Sequence, residues 1–375
     1  MHRVVYPKEC EHIVVYRKND EYAGWPFNGG LWRFGNSDVV VGFIRNRCAY
    51  RSLEDVSHRR VQYVDGQFVT IRSRDGGRTW LQDELKIIYN SKAELRAQLQ
   101  YYLTLNKFPR PMPIDFTSSD TALATEPPLG IETGPTAYFV TRDRGYTWEG
   151  PYPLHIDGFD TIHARPSYIV DSNSGVMLFV QGLRYDEINR GYRSVEPEGR
   201  PMILVSEDGV SWRFLSYILP PNPEFPRICP SPAVLPDGRI VVALRVLGPG
   251  RDIQWTELYT SEDGGLTWRF TSRVNRWGAP ASLLILRDGR LLCIYGYRVP
   301  PYGIRARVSG DGGMTWGPEI IIRDDGGSPD LGYPRATELQ NGEILTIYYF
   351  NDKSDEIQCY GGIRYIAATV FTLPY

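Results

Sequence analysis

The sequence predicts an all-β fold, a six-bladed β-propeller built from four-stranded antiparallel blades. Three observations lead to this prediction: a short turn motif that recurs along the chain, a hairpin pattern between its copies, and many aromatic residues, Gly and Pro. Aromatic residues favour strands, whereas Gly and Pro favour tight turns. We expect the 375 residues to form a single domain over 1–375.

The turn motif reads [Ser/Thr]-x-Asp-x-Gly-x-Thr-Trp, and we call each copy a Trp turn. The copies are 73–80, 141–148, 206–212, 261–268 and 309–316, of which the third is one residue shorter. Asp and Ser side chains bond nearby backbone N–H groups, Gly adopts a positive φ, and Trp begins the next strand. We therefore assign these aspartates a structural role. The first residues are 68, 65, 55 and 48 apart, which suits one blade per repeat.

A hairpin pattern lies between the Trp turns, with a Pro, an apolar strand, an Asp-Gly type of turn, a second apolar strand and often an Arg. The clearest copies are 229–245, 279–298 and 333–350, and looser ones begin near Trp25 and Arg165. Five Trp turns and the final hairpin predict six blades. We expect the last strand, 363–371, to close the ring with N-terminal residues. The only helix-like stretch, 91–103, lies in an insertion at about 86–115.

In a propeller, the starts of the inner strands surround one pocket at the axis, so a residue's position in the repeat predicts its place. The residues just before the repeated Pro are Trp25, Arg165, Cys229, Ala279 and Tyr333. The residues at or beyond the end of the second strand include Arg47, Arg184, Arg245 and Arg298. Because the strands are antiparallel, both sets are expected at the same end of their hairpins.

The Trp turn resembles the Asp box of the sialidase (neuraminidase) superfamily, and the whole chain resembles a six-bladed sialidase-type propeller. The last hairpin is more specific: Tyr333 precedes Gly342 by nine residues and Tyr348 follows on the return strand, as around the family's nucleophilic Tyr. The resemblance implies an exo-acting hydrolase that cleaves a terminal sialic acid or related acidic sugar. A neutral phenol suits this reaction because a carboxylate nucleophile would be repelled by the substrate's carboxylate.

The resemblance also implies arginines that bind the substrate's carboxylate, since the planar guanidinium matches it with two parallel hydrogen bonds. Arg245 and Arg298 match the family positions best, and Arg305 is the reserve. Arg47 resembles the arginine after the first hairpin, with Arg165 or Arg335 completing the set. The family's general acid is an Asp shortly after the first hairpin, and the candidates here are Asp55 and, less conventionally, His58.

The sequence departs from the family pattern at two positions. The N-terminal Arg-Ile-Pro of the family reads Gly24-Trp25-Pro26 here, so its Arg is missing, and the Glu that activates the family's Tyr falls near Cys229, with Glu224 and Glu257 the nearest acids. A polysaccharide lyase acting on a uronate, such as a rhamnosyl-glucuronate end, is therefore an alternative, with His58 as acid or base. A non-catalytic carbohydrate-binding propeller is a third reading.

The composition limits the kinds of partner and cofactor that we expect for this protein. A net charge of −2 gives no reason to expect nucleic acid or an anionic membrane as partner. The five cysteines show no paired spacing, and we expect neither a metal nor an organic cofactor. The expected partner is a carbohydrate that bears a carboxylate, with the oligomeric state left open. The N-terminus lacks the apolar segment of a signal peptide, which predicts a cytoplasmic protein, or a secreted or periplasmic one if a signal peptide was removed.

Overall fold

The computed structural model describes residues 4–58, 60–61, 66–127, 136–170, 175–186, 199–220 and 225–375. The strands form six small sheets arranged as a six-bladed β-propeller, as the sequence predicted. Most blades have four strands, paired antiparallel from the inner strand outwards.

The blades follow one another along the chain, and both chain ends contribute strands. Blade 1 contains β3 (Glu21–Gly24), β4 (Leu31–Phe34), β5 (Asp38–Arg47), β6 (Gln67–Ser73) and β7 (Leu81–Tyr89). Blades 2 and 3 contain β8 (Ala122–Thr125), β9 (Thr136–Thr141), β10 (Glu149–Leu154), β11 (Phe159–Val170), β12 (Val176–Arg184), β13 (Arg200–Ser206) and β14 (Arg213–Tyr217). Blades 4 and 5 contain β15 (Arg227–Val234), β16 (Ile240–Leu247), β17 (Gln254–Ser261), β18 (Arg269–Arg273), β19 (Ala281–Ile285), β20 (Leu291–Tyr297), β21 (Tyr302–Ser309) and β22 (Glu319–Gly326). Blade 6 contains β23 (Gly332–Glu338), β24 (Ile344–Phe350) and β25 (Tyr365–Phe371).

The ring is closed by pairing the two ends of the chain. Strand β2 (Cys10–Tyr16) pairs antiparallel with β25 and forms the outer strand of blade 6. Strand β1 (Val4–Val5) pairs parallel with β22 and extends blade 5. The expectation that the last strand closes the ring with N-terminal residues is therefore confirmed.

Hydrogen bonds within each Trp turn give its Asp a structural role. In the first copy, Ser73 Oγ accepts from the Gly77 amide at 2.8 Å. Asp75 accepts from the Thr79 amide at 2.9 Å and from the Thr79 hydroxyl at 2.6 Å. Trp80 Nε1 donates to the Gly77 carbonyl at 2.9 Å. The same Ser/Thr–Asp arrangement recurs around Asp143, Asp208, Asp263 and Asp311.

A short helix, α1 (Pro26–Gly29), interrupts the inner strand of blade 1 between β3 and β4, and its residues are all buried. It contacts β11 of blade 3 and β23 of blade 6, so it lies at the axis of the ring. Only glycine fits at its end, because a Cβ on Gly29 would lie 2.0 Å from the Gly42 carbonyl oxygen. Helix α1 therefore packs closely against β5 at the axis.

A longer helix, α2 (Lys92–Leu105), lies between β7 and β8, where the sequence predicted a helical insertion. The Ser91 hydroxyl accepts from the Glu94 amide and caps its first turn. Buried Lys92 pairs with buried Glu126 at 2.7 Å, which attaches the helix to blade 2. Among the described residues, no helix is both long enough and apolar enough to span a membrane.

Replacing Asp75 by Ala should destabilise the fold. We expect the free energy of unfolding to fall by about 1 kcal/mol at neutral pH, because the side chain is exposed and its hydrogen bonds are partly replaced by water. Chemical denaturation would measure this. Asp83→Ala, on exposed β7 surface, is the matched control and should leave stability unchanged.

The effect of Asp75→Ala should also depend on pH. Burial tends to raise the pKa of Asp75, but hydrogen bonds from Thr79 and Ser73 hold that pKa below its ordinary value. A carboxyl whose pKa is depressed by folding stabilises the fold above about pH 4 and loses this effect as the pH falls. The difference between variant and wild type should therefore shrink in acid. An equal difference at all pH values would contradict this role.

Candidate active site

Three of the five residues before the repeated prolines share an unusual backbone conformation. Trp25, Cys229 and Tyr333 have φ values of 58°, 58° and 51°. A following Pro disfavours the right-handed helical region, and the left-handed region costs an ordinary residue about 1–2 kcal/mol. Strain of this kind concentrates at functional sites. Tyr333 and Cys229 pack with Phe27 in one cluster, so residues of blades 1, 4 and 6 converge at the axis, as their repeat positions predicted.

The Tyr333 side chain lies between two arginines. Its hydroxyl accepts a hydrogen bond from Arg245 Nη1 at 2.8 Å. The guanidinium carbons of Arg245 and Arg298 lie 5.8 and 5.3 Å from the centre of the Tyr333 ring. Tyr333 is half-buried and Arg245 is buried, so the phenol is in contact with positive charge that water screens only in part. The structure therefore brings together the predicted nucleophile and two predicted carboxylate-binding residues.

The second tyrosine of the final hairpin that faces this group is Tyr349, not Tyr348. The Tyr349 ring centre lies 5.9 Å from that of Tyr333, and its hydroxyl lies 3.5 Å from Arg298 Nη2. Successive side chains of a strand point to opposite faces, so Tyr348 points the other way and bonds Thr369. Because side chains alternate along β24, the second tyrosine of this group is Tyr349, and the choice of Tyr348 from the sequence was wrong.

Buried Asp330 accepts hydrogen bonds from four side chains next to this group. The donors are Tyr349 at 2.7 Å, Tyr22 at 2.8 Å, Arg364 Nε at 3.0 Å and His58 Nε2 at 3.1 Å. Burial alone would raise the pKa of Asp330, but its interactions with His58 and Arg364 hold that pKa well below the ordinary value. Asp330 therefore stays ionised and fixes the positions of its donors.

His58 is the one of the two predicted acids that reaches this network. Its ring packs edge-on against Trp25 with centroids 5.0 Å apart, and its side chain is 53% exposed. When Nε2 donates to Asp330, Nδ1 remains for exchange of a proton with a ligand or with water. His58 thus has the arrangement of a positioned acid or base.

Asp55 lies in the loop that follows β5 of blade 1, and Arg47 is the last residue of that strand. Asp55 accepts from the Arg51 amide at 2.9 Å and pairs with Arg60 at 3.2 Å. Arg47 is exposed at the end of β5, opposite Glu21. Among the described residues, neither has a recorded contact with Tyr333.

The remaining predicted arginines lie near the axis or within a blade. Arg165 donates to Asn28 Oδ1 of helix α1 at 3.1 Å, close to Gln181. Arg305 instead pairs with Glu319 at 2.5 Å and stacks on Tyr297 in blade 5. In the described part of the chain, the recorded partners of Arg305 therefore do not include Tyr333.

Of the two acids nearest to the family's Glu position, only Glu257 lies among the described residues. Glu257 accepts from Trp255 Nε1 at 2.9 Å and from the Tyr259 hydroxyl at 2.6 Å, and Arg227 lies 3.3 Å away. Glu257 is thus engaged inside blade 4. Glu224 lies outside the described residues. Within the described ranges, no group of three or more His, Cys, Asp or Glu residues could hold a metal ion.

Comparison with known proteins gives structural neighbours. No protein-family model and no curated protein sequence matches the chain. A protein of unknown function from Dyadobacter fermentans has a TM-score of 0.71 and 24% identity, over 97% of this chain and 98% of its own. A Trypanosoma rangeli sialidase in complex with sialic acid has a TM-score of 0.56 and 12% identity, over 98% of this chain and 59% of its own. An α-L-arabinofuranosidase from Fusarium graminearum in complex with an iminosugar inhibitor has a TM-score of 0.57 and 14% identity, over 96% of this chain and 97% of its own.

The chain is a six-bladed propeller similar to sialidases and arabinofuranosidases. At these identities the likeness concerns the fold. The residues of the axial site must therefore be judged by their own geometry.

Asp330→Asn should destabilise the protein strongly. The substitution leaves the Arg364 guanidinium, which is fully buried, without its carboxylate partner, and we expect a loss of about 3 kcal/mol in the free energy of unfolding. Because folding depresses the pKa of Asp330, its contribution is present above about pH 4 and fades in more acid solution. Denaturation of Asp324→Asn, an exposed neighbour, supplies the control. Equal stability of the two variants would contradict the structural role of Asp330.

Proposed function

We propose that this protein is an exo-acting glycosidase of the sialidase type that removes a terminal sugar bearing a carboxylate. The observation that carries the proposal is the Tyr333 hydroxyl 2.8 Å from Arg245, with Arg298 beside the same ring. A phenol next to guanidinium groups suits attack on an anionic sugar, because the cations attract the substrate and stabilise the phenolate. The similarity of the fold to glycosidases supports the same reaction class.

The proposed mechanism has two steps with retention of configuration. In the first, Tyr333 loses its proton to solvent and its oxygen attacks the anomeric carbon. The bond to the leaving oxygen breaks, and protonated His58 gives that oxygen a proton through Nδ1. In the second, neutral His58 takes a proton from water, and the resulting hydroxide displaces the Tyr333 oxygen from the anomeric carbon.

Asp330 and the two arginines support this chemistry without themselves forming or breaking covalent bonds. Asp330 is a positioning residue, since its hydrogen bond with Nε2 holds the His58 ring in place. Arg245 and Arg298 bind the substrate's carboxylate in the proposal. Asp55 is the other candidate acid, but its carboxylate oxygens are engaged by Arg51 and Arg60.

Tyr333→Phe should abolish turnover of the substrate. The test is release of the chromophore from an aryl sialoside and an aryl glucuronide, and we expect kcat to fall by at least about 1000-fold on the active substrate. Tyr348→Phe, in the same hairpin but facing away, should retain activity. Wild-type turnover by Tyr333→Phe would refute the nucleophile. Binding of either sugar with no turnover by the wild-type protein would instead indicate a non-catalytic propeller.

One observation favours a polysaccharide lyase as the second candidate. Among the described residues, no carboxylate contacts Tyr333, whereas His58 and the arginines are present. In a lyase, a base such as His58 would remove the proton at C5 of a uronate, the C4–O bond would break, and a C4=C5 double bond would form. Arg245 and Arg298 would neutralise the uronate's carboxylate, and the leaving oxygen would take a proton from Tyr333.

The two reactions can be distinguished by their products. Incubation with a panel of uronate-containing polysaccharides should give no ultraviolet absorbance from an unsaturated uronate if the protein is a glycosidase. Absorbance that appears with wild type and is lost in His58→Ala would replace the glycosidase proposal with the lyase. His12→Ala, on outer strand β2, is the matched histidine control.

A further inference from the structure

A cavity of about 180 Å³ lies at the axis, and Tyr333 is not among the residues that line it. Inner-strand residues of several blades line it, and those with a role here are Ser167, Ser231, Leu283 and Arg335. Arg335 follows Tyr333 along β23, and its side chain donates to the Phe27 carbonyl of helix α1. The cavity and the candidate active site are thus adjacent to the same short helix. Nothing in the proposed glycosidase mechanism uses this cavity.

Arg335 brings a positive charge into this cavity without a carboxylate partner among the described residues. Its Nε and Nη2 groups donate to the Phe27 carbonyl at 3.1 and 2.8 Å. Nη2 also donates to Ser167 Oγ at 2.9 Å. These acceptors are neutral, and within the part of the chain that the structure describes, Nη1 has no recorded acceptor. Arg335 is half-buried, and a charge partly removed from water is costly unless an opposite charge or further hydrogen bonds compensate it.

The surroundings of Arg335 increase this cost. Burial and the nearby Arg165 cation lower the pKa of Arg335 to about 9. The group still carries its charge at neutral pH. A counter-charge at this position would therefore stabilise the folded protein.

The two serines of the cavity are arranged as donors. Ser167 Oγ already accepts from Arg335, and Ser231 Oγ accepts from the Leu283 amide at 3.1 Å. A hydroxyl that has accepted a hydrogen bond keeps its own proton to donate. Arg335 Nη1 and both hydroxyls can thus donate hydrogen bonds to one ligand. An anion can accept these hydrogen bonds, whereas a cation cannot. Because a water molecule takes about 30 Å³ of liquid, the cavity has room for a small anion and several waters.

We propose that this axial cavity is a binding site for a small inorganic anion, such as chloride or phosphate, held by Arg335 with Ser167 and Ser231. The anion neutralises the half-buried guanidinium and so fixes the side chain that holds the Phe27 carbonyl. Since the Phe27 ring packs edge-on against Tyr333 with centroids 6.3 Å apart, the anion lies beneath the floor of the candidate active site. The site is independent of which reaction occurs above it.

The direct test uses crystals of the wild-type protein soaked in sodium bromide, since bromide replaces chloride and scatters anomalously. We expect an anomalous peak in the cavity within hydrogen-bonding distance of Arg335 Nη1. Bromide peaks confined to the outer surface, with none in the cavity, would overturn the proposal for halides. The same crystals soaked in sodium phosphate test the oxyanion. Empty density in both experiments would overturn the proposal altogether.

A second test measures the thermal unfolding midpoint against sodium chloride and sodium phosphate, with sodium gluconate added to keep the ionic strength constant. For wild type we expect an upward shift that saturates with one of the small anions, as for a ligand that binds the folded state. Arg335→Gln should lose this saturable shift, whereas exposed Arg33→Gln should keep it. An unchanged shift in Arg335→Gln, or none in wild type, would contradict the site. If Arg335→Gln fails to fold, Ser231→Ala should still weaken the saturation several-fold, and an unaltered saturation would count against the proposal.

Discussion

The pairing of the two chain ends in blade 6 is the constraint on which the axial site depends. Strand β2, near the N-terminus, completes the sheet that contains β23 and β24. These two strands carry Tyr333 and Tyr349. The same closure brings Tyr22 and Arg364, which lie far apart in sequence, onto the same carboxylate oxygen of Asp330. Without the closed ring, the carboxylate would lose its partners and the tyrosines would lose their fixed positions.

Among the described residues at the axis, the arginines outnumber the carboxylates that pair with them. This balance makes the electrostatic potential there positive. Asp330 is bound to Arg364 and His58. Arg245 and Arg298 instead contact the phenol of Tyr333, and the acceptors of Arg335 are neutral. Because charges interact more strongly away from bulk water, such an axis favours anionic ligands. This argument supports an acidic sugar on one side of helix α1 and a small anion on the other.

Much of the fold could be predicted because it repeats. The Trp turns and the hairpins between them mark the blades, and an equivalent position in the repeat becomes an equivalent place around the ring. This reasoning correctly placed Tyr333 with Arg245 and Arg298. It also correctly gave the aspartates of the Trp turns a structural role within those turns.

The features that could not be predicted depend on local register and on distant partners. The pairing of β23 with β24 shifts register between Gly332 and Arg335, so the start of β23 is not regularly paired. Along β24, the alternation of side chains places Tyr349, and not Tyr348, on the face near Tyr333. Asp330 lies three residues before Tyr333 in the sequence. Its partner Arg364 comes from the far end of the chain and carries no local motif. Helix α1, which fills the axis, is too short to show a helical pattern in the sequence.

The measurement that tests the central claim most directly is covalent trapping of the nucleophile. The protein would be incubated with a difluorinated sialic acid, digested and mapped by mass spectrometry. The account predicts one adduct, on the peptide that contains Tyr333, and its loss when Arg245 is replaced by Gln. An adduct on another residue, or no adduct while the same reagent labels a known sialidase in parallel, would contradict it.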